Sequence, residues 1–312
     1  MIAIFNPEHD LCLANGDRNF VPPQSALTFA RESAQLLKIL YGNGAYCTSA
    51  DSWQPPRDFP PSERLVAWGW DARLLHLLQK KGVPPTLLPA EEKVEKIRLL
   101  QHRSSLIPIQ QEIERHGTTP APLPTTIRTE KEAQDLLQKH PHIVLKAPWS
   151  GSGRGLRWVS HTLSPHDSSW IQKIVREQDC VVVEKRHEIA LDFAIEYQVL
   201  QGAMHKVGYS LFRTQGGIYR ANLLLSDNTI QQTIQQQLTP TGIPITLAEK
   251  TLSHWLRENI APHYEGYLGV DFFVDKQGHL HLSEINLRHT MGLLAHEYLR
   301  QHPEKEGKEF TI

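Results

Sequence analysis

Residues 266–292 decide the fold, and they read GYLGVDFFVDKQGHLHLSEINLRHTMG. Two apolar runs, 267–274 and 279–285, flank the turn sequence DKQG, in which Gly278 can adopt a positive φ angle. This pattern predicts a β-hairpin. In a register symmetric about the turn, Asp271 pairs with Leu282 and Glu284 pairs with Gly269.

Three polar side chains are predicted to share one face of this hairpin. Side chains alternate along a strand, so Asp271, Glu284 and Asn286 point the same way in that register. Two carboxylates and an amide oxygen form a set of hard ligands suited to Mg²⁺. An ion bound there can also contact substrate phosphates. Arg288 follows two residues later, in position to meet an anion beside the metal.

Two other interpretations of the hairpin stay open at this point. An ordinary antiparallel hairpin with a solvated acidic face has the same residue pattern. A bulge at Gly278 would slip the register by one residue and move Asp271 to the other face.

A second informative stretch, residues 143–155, reads IVLKAPWSGSGRG. It places Lys146 at the end of an apolar strand, before a loop of glycine and serine. Glycines let backbone N–H groups approach phosphate oxygens, and the lysine supplies a point charge. The lysine precedes the glycines, so the stretch is not a Walker A loop, and its GxGxG spacing is not the dinucleotide fingerprint. A flexible surface hairpin with an incidental lysine is the alternative.

The composition is that of a globular protein. The chain has 312 residues, of which 40% are hydrophobic and 21% charged, and its formal net charge of −1 gives no reason to expect nucleic acid or an anionic membrane as a partner. No apolar run is long enough to span a membrane, and the N-terminus lacks signal-peptide features, so a cytoplasmic location is expected. The 3 cysteines have no CxxC spacing and the 17 histidines show no familiar metal motif, which argues against a disulfide framework or a zinc site.

Strand candidates at 2–5, 44–48 and 65–68 alternate with helix candidates at 25–41 and 71–81. This alternation predicts a small α/β domain with parallel strands. Further along, strands in quick succession predict antiparallel sheets, with candidates at 142–146, 156–160, 180–184, 193–200, 205–212 and 218–225.

Together the two informative stretches resemble the ATP-grasp superfamily in the order and spacing of their residue types, over roughly residues 95–292. The resemblance implies a mixed α/β and α+β fold. An N-terminal Rossmann-like α/β (pre-ATP-grasp) domain at 1–104 would precede a two-subdomain ATP-grasp fold at 105–312, divided into 105–180 and 181–312.

The resemblance also implies an ATP site with a metal. Lys146 and Arg288 would neutralise the transferring phosphoryl group, and Asp271, Glu284 and Asn286 would hold Mg²⁺ or Mn²⁺. The implied nucleotide contacts are Lys146, Ser150, Gly151, Ser152, Gly153 and Gly155 at the phosphates, Glu184 and Lys185 at adenine, and Asp192, with Glu196 as second choice, at ribose. A further basic residue upstream would be Lys96 or Arg103, which the sequence does not decide.

The implied activity is that of an ADP-forming ligase, which activates a carboxylate as an acyl phosphate for attack by an amine or thiol. A kinase-like phosphotransferase and a non-catalytic nucleotide-binding module are the alternatives. The expected partners are small-molecule or peptide carboxylates and amines. Ligands of α/β sheets bind at the carboxyl ends of strands, so His9, Asp10 and Trp70, in loops after the first and third strands, are candidate substrate contacts. Loop packing and helix capping are the alternative roles.

We expect the loop that contains Ser150 and Gly155 to be mobile without nucleotide and ordered with it, as lids over active sites commonly are. Trypsin should therefore cut at Arg154 in the free protein, and a Mg·ATP analogue should suppress that cut. The variant Arg154→Gln should lose the same fragment, which identifies the site. Equal cleavage with and without the analogue would contradict a lid.

Overall fold

The computed structural model describes residues 1–60, 62–115, 123–150, 155–240 and 242–311. Within these ranges the strands form three sheets, each with helices packed against it. No helix in the described part of the chain is both long and apolar enough to cross a lipid bilayer.

The first sheet is parallel and has the strand order β2-β1-β3. Its strands are β1 (Ile2–Ile4), β2 (Tyr46–Thr48) and β3 (Leu65–Ala67), and the helices around it are α1 (His9–Asn15), α2 (Gln24–Ser33), α3 (Lys38–Tyr41) and α4 (Ala72–Lys80). The predicted parallel pairing is therefore confirmed. Because β1 and β3 are parallel neighbours, the loops after them lie side by side, and Asn6 Nδ2 donates to the carbonyl of Gly69 at 2.8 Å.

The helix predicted over 25–41 is interrupted. Between α2 and α3 the chain tightens into a 3₁₀ turn, Ala34–Leu37. Residues three apart in such a turn lie on the same side, and here Ala34 and Leu37 are both buried in one apolar cluster. Two further helices, α5 (Glu91–Leu100) and α6 (Ile107–Arg115), lead out of this part of the chain.

The second sheet is antiparallel, with the order β4-β7-β5-β6. It consists of β4 (Thr125–Ile127), β5 (His142–Lys146), β6 (Leu156–Ser160) and β7 (Val181–Lys185), with α7 (Glu130–Lys139) and α8 (Pro165–Gln178) packed on it. Side chains alternate along β5. Ile143 and Leu145 join the apolar cluster beneath the two helices, whereas Val144 and Lys146 face the open side.

The third sheet is also antiparallel, with the order β12-β11-β8-β9-β10-β13. Its strands are β8 (Ile189–Leu200), β9 (Ala203–Gln215), β10 (Ile218–Leu223), β11 (Gly266–Asp275), β12 (Leu280–Asn286) and β13 (Glu309–Phe310), and its helices are α9 (Asp227–Gln237), α10 (Ile245–Asn259) and α11 (Met291–Gln301). Along β8, Phe193, Ile195 and Tyr197 enter the largest apolar cluster, and Asp192 and Glu196 face the opposite side. The polar faces of the second and third sheets border the same cavity.

The predicted hairpin is present as β11 and β12, but the predicted register is wrong. Val274 pairs with Leu280, so the turn comprises residues 275–279 and is one residue longer than expected. The carbonyl of Gly278, whose φ is +82°, accepts a hydrogen bond from the Thr239 N–H at 2.9 Å, which anchors the longer turn to the end of α9. Alone, this slip would put Glu284 on the opposite face from Asp271.

A β-bulge at Ser283 adds a second shift of one residue, which returns Glu284 to the same face as Asp271. Leu282 pairs with Phe272, and the next pair along is Glu284 with Asp271, so Ser283 has no partner in the ladder. Each extra residue shifts the register by one, and two shifts restore the original facing. Asp271 thus pairs with Glu284 instead of Leu282, and the predicted common face is nevertheless correct.

Candidate active site

A cavity of about 1110 Å³ lies between the second and third sheets, and the loop after β1 forms part of its wall. Most of the site residues predicted from the sequence line it. They are Asp10, Lys146, Glu184, Lys185, Asp192, Glu196, Asp271, Glu284, Asn286 and Arg288. Residues of the second and third sheets and of α1 therefore converge on one space.

Lys146 places a cation on one wall of this cavity. The residue is 7% exposed, and its Nζ lies 2.7 Å from Glu184 Oε2. Because Val144 pairs with Glu184 in the β5–β7 ladder, Lys146 and Glu184 are diagonal neighbours on the same face. The carboxylate thus holds the ammonium group at the cavity wall, where an anionic ligand can meet it.

Arg103, rather than Lys96, is the upstream basic residue at this site. Lys96 lies on the exposed face of α5, whereas Arg103 is 6% exposed and lines the cavity. Its Nη2 donates to Glu284 Oε1 at 2.8 Å, and its Nη1 donates to the Ala147 carbonyl at 2.5 Å and to Ser150 Oγ at 2.6 Å. One guanidinium therefore joins the end of β5 to the hairpin.

The base of the glycine-rich loop is closed by a hydrogen bond from the Ala147 N–H to the Gly155 carbonyl at 2.8 Å. A Cβ at Gly155 would collide with the Ser150 side chain, so this close approach requires glycine. Ser150 and Gly155, which were predicted to contact the phosphates, do not line the cavity directly. The other predicted phosphate contacts in the loop, Gly151, Ser152 and Gly153, lie outside the described residues and stay predictions.

Asp271, Glu284 and Asn286 lie together on the cavity face of the hairpin. Asn286 Nδ2 donates to Asp271 Oδ2 at 3.1 Å, and Asp271 pairs directly with Glu284 across the strands. Burial, followed by the negative charges of Glu284 and Glu196, raises the pKa of Asp271 well above its usual value. Such a shift marks a place where a cation would stabilise the ionised form. An all-oxygen set with excess negative charge fits Mg²⁺ or Mn²⁺.

Arg288 binds Asp10 through two hydrogen bonds. Its Nε and Nη2 donate to the two carboxylate oxygens of Asp10 at 3.0 and 2.9 Å. Although burial works to raise the pKa of Asp10, the Arg288 charge holds that pKa below its usual value. The predicted phosphate contact, Arg288, and the predicted substrate contact, Asp10, therefore bind each other, and the pair connects α1 to the segment that follows the hairpin.

Glu196 is the most deeply buried carboxylate of the cavity, with 1% exposure. Ser210 Oγ and Thr290 Oγ1 donate to it at 3.0 and 2.8 Å, and burial raises its pKa to about 7. Asp192, the first choice for ribose, accepts from Thr214 Oγ1 at 2.7 Å, and burial raises its pKa as well. Both carboxylates line the cavity.

Two of the candidate substrate contacts lie elsewhere. The His9 ring is fully buried between Asp71, 3.3 Å from its Nδ1, and Gln101, 3.1 Å from its Nε2. Trp70 packs against apolar clusters and does not line the cavity. Successive side chains of a helix point about 100° apart. Glu8, the residue before α1, and Asp10, in its first turn, line the cavity, whereas His9 between them does not.

Glu8 is a site residue that the sequence analysis missed. It is 2% exposed and lines the cavity, and burial raises its pKa to about 7. Arg73 Nη1 donates to Glu8 Oε1 at 3.2 Å, and Glu8 Oε2 has no hydrogen-bond partner among the described residues. Its place in the polar loop after β1, next to the two residues that were selected, was the available signal.

The raised pKa of Glu196 predicts a pH-dependent stability. As pH rises from about 4.5 to 7 the folded protein must release a proton that the unfolded chain has already lost, so this group lowers the free energy of unfolding over that range. Glu196→Gln removes this ionisation. We expect the free energy of unfolding of the variant, relative to the parent protein, to be about 1–3 kcal/mol higher at pH 8 than at pH 5.

Urea denaturation of both proteins at the two pH values measures this difference. Glu95→Gln, at an exposed position on α5, is the matched control and should show the same difference at both. A Glu196→Gln difference that does not change with pH would contradict the raised pKa.

Comparison with known proteins gives matches only at the level of structure. No protein-family model matches the chain, and no curated protein matches it. An N5-carboxyaminoimidazole synthetase from Staphylococcus aureus complexed with ADP matches with a TM-score of 0.52 and 14% identity, over 99% of this chain and 78% of the other. The D-alanyl-alanine synthetase A of Vibrio cholerae matches with a TM-score of 0.53 and 14% identity, over 97% and 93%.

A biotin carboxylase–β,γ-ATP complex from Campylobacter jejuni matches with a TM-score of 0.54 and 14% identity, over 100% of this chain and 72% of the other. All three are ATP-grasp enzymes. At this level of identity the matches establish architecture, and they agree with the order of the motifs in the sequence. The chain has the ATP-grasp fold.

Proposed function

We propose that this protein is an ADP-forming, ATP- and Mg²⁺-dependent ligase that activates a carboxylate as an acyl phosphate for attack by an amine or thiol. The observation that carries the proposal is the convergence of Lys146, Arg103, Arg288 and the Asp271–Glu284 pair on one cavity. Fixed cations opposite paired carboxylates form a site for a polyphosphate with its metal.

The nucleotide would lie between the second and third sheets. Lys146 would contact its phosphates, Glu184 and Lys185 its adenine, and Asp192 its ribose. All four residues line the cavity. In this proposal residues 105–180 and 181–312 are the two halves of the clamp, and residues 1–104 form the domain that precedes it.

The metal would be held by Asp271, Glu284 and Asn286. Mg²⁺ bound there would supply positive charge to the β- and γ-phosphate oxygens. The chain's own part is to keep these three side chains on one face. The bulge at Ser283 does this, and the hydrogen bond from Asn286 to Asp271 orients the carboxylate.

In the first step a carboxylate oxygen of the substrate attacks the γ-phosphorus, and the bond to ADP breaks. In the second, an amine or thiol attacks the acyl carbon, phosphate leaves with the bonding electrons, and the attacking atom loses its proton. Lys146, Arg103 and Arg288, which line the cavity, would stabilise negative charge on the transferring group electrostatically. No side-chain nucleophile is required.

The substrate to be ligated would enter on the side of the loop after β1. Asp10 and Glu8 line that end of the cavity, next to the aromatic side chains of Phe29 and Trp68. The carboxyl groups of Glu8 and Asp10 would offer a contact for a hydrogen-bond donor, and the apolar rings one for a carbon skeleton. An amine substrate matches this combination.

The proposal is tested by measuring ADP release from Mg·ATP with a panel of carboxylates, each with and without a mixture of amines and thiols. We expect turnover only when both partners are present. Lys146→Ala should abolish it, whereas Lys139→Ala, on the exposed end of α7, should not. Turnover with a single substrate would indicate a phosphotransferase, and ATP binding without turnover would indicate a binding module. Either outcome would contradict a ligase.

A further inference from the structure

A cluster of imidazoles surrounds the buried carboxylate of Asp275. His187 of this cluster lines the cavity two residues after Lys185, but no member of the cluster is a proposed ATP or Mg²⁺ contact. Asp275 ends β11 and is 3% exposed. His281 is on β12, across the hairpin turn, and His187 is in the connection between β7 and β8. This connection joins the second sheet to the third, so the cluster holds the link between the sheets against the hairpin.

The three side chains have the spacing of metal ligands. His187 Nδ1 lies 3.2 Å from Asp275 Oδ2, and His281 Nε2 lies 3.1 Å from the same oxygen. All three ligand atoms lie within 4.8 Å of one another. Zinc bonds to nitrogen and oxygen of about 2.0–2.2 Å give ligand separations of about 3.3–3.6 Å in a tetrahedron. Small side-chain adjustments would therefore admit an ion.

The surroundings of the cluster support the same interpretation. The other oxygen of Asp275, Oδ1, accepts from the N–H groups of Gln277 and His279 at 3.0 and 2.9 Å, which fixes the carboxylate as supporting hydrogen bonds fix metal ligands. Phe273 stacks on the His281 ring and contacts the His187 ring, which gives the cluster an apolar wall.

We propose that His187, Asp275 and His281 bind a divalent transition metal, with Zn²⁺ the best match to the ligand types. Two imidazoles and one carboxylate favour zinc, in contrast to the all-oxygen set proposed for Mg²⁺. His279, which is half exposed, has its Nδ1 3.5 Å from the same Asp275 oxygen, next to the position left for a fourth ligand. The sequence pattern gave no indication of this site, because His187 is distant in sequence from the other two.

A metal ion at this site would hold the hairpin turn against the connection between β7 and β8. The N–H of Lys276 already donates to the carbonyl of Glu188 at 2.8 Å, so the hairpin turn and the connection touch. An ion held by His187 and His281 would lock that contact. It would fix the end of β7, which carries Glu184, relative to the hairpin that carries Asp271 and Glu284.

The test uses the protein without an affinity tag, stripped of metal and kept in excess Mg²⁺, which competes with Zn²⁺ for the oxygen site. We expect it to bind one equivalent of Zn²⁺ in calorimetric titration, and Co²⁺ to give the visible absorption of a site with nitrogen ligands. His187→Asn and His281→Asn should each weaken Zn²⁺ binding by more than about tenfold, since even loss of a supporting group has an effect of that size.

Two variants serve as controls. His254→Asn removes an exposed histidine on α10, and Glu284→Gln changes the oxygen site, so both should bind Zn²⁺ as the parent protein does. A parent protein that binds less than one equivalent in excess Mg²⁺ would overturn the proposal, and so would His187→Asn protein with unchanged affinity. Either result would leave the cluster as a set of hydrogen bonds that holds the hairpin turn. The Zn²⁺ titration of the parent protein tests the proposal even if a variant fails to fold.

Discussion

Asp271 and Glu284 lie directly opposite each other on neighbouring strands, and Glu196 is close enough to add to their repulsion. Like charges in this position destabilise a sheet unless a cation lies among them. The rest of the cavity is arranged around this excess of negative charge. Arg103 contacts Glu284 from one side, and Arg288 lies near both carboxylates while it binds Asp10.

These two arginines also connect distant parts of the chain. Arg103 joins the end of β5 to the hairpin, and Arg288, just after β12, joins the hairpin to α1. A buried ion pair costs desolvation that its attraction only partly offsets, so such pairs are weak contributors to stability. Here the ion pairs of Arg103 and Arg288 act mainly by positioning, because they hold carboxylates and cations from distant parts of the chain around one cavity. A bound metal would offset the negative charge of the carboxylates, and the phosphates of the nucleotide would offset the positive charge of Lys146 and the arginines.

Much of this site could be predicted from the sequence because its residues lie on strands, where alternation determines the face. Lys146, Asp271, Glu284 and Asn286 all line one cavity, and their roles in it stay predictions. The register was not predictable from the hairpin's own residues, because the longer turn is anchored to Thr239, far away in the chain.

The choice between candidate residues close together in the sequence also depends on contacts that the sequence does not reveal. Helical periodicity alone could not favour Arg103 over Lys96, since only the docking of α5 and α6 decides which side chain is enclosed. His9 was chosen beside Asp10, but one step along a helix turns a side chain away from the cavity. Contacts between distant segments determine both outcomes.

The role of the paired carboxylates is tested most directly by Glu284→Gln, measured for melting temperature and ADP release in the same preparation. Arg103 keeps its hydrogen bonds to Ala147 and Ser150, so we expect the variant to fold. Its melting temperature without nucleotide should equal or exceed that of the parent protein, because repulsion with Asp271 falls. Its ADP release should fall by on the order of a hundredfold or more, as for loss of one electrostatic contact to a transition state. Full activity at an unchanged melting temperature would contradict the assignment of the hairpin to the active site.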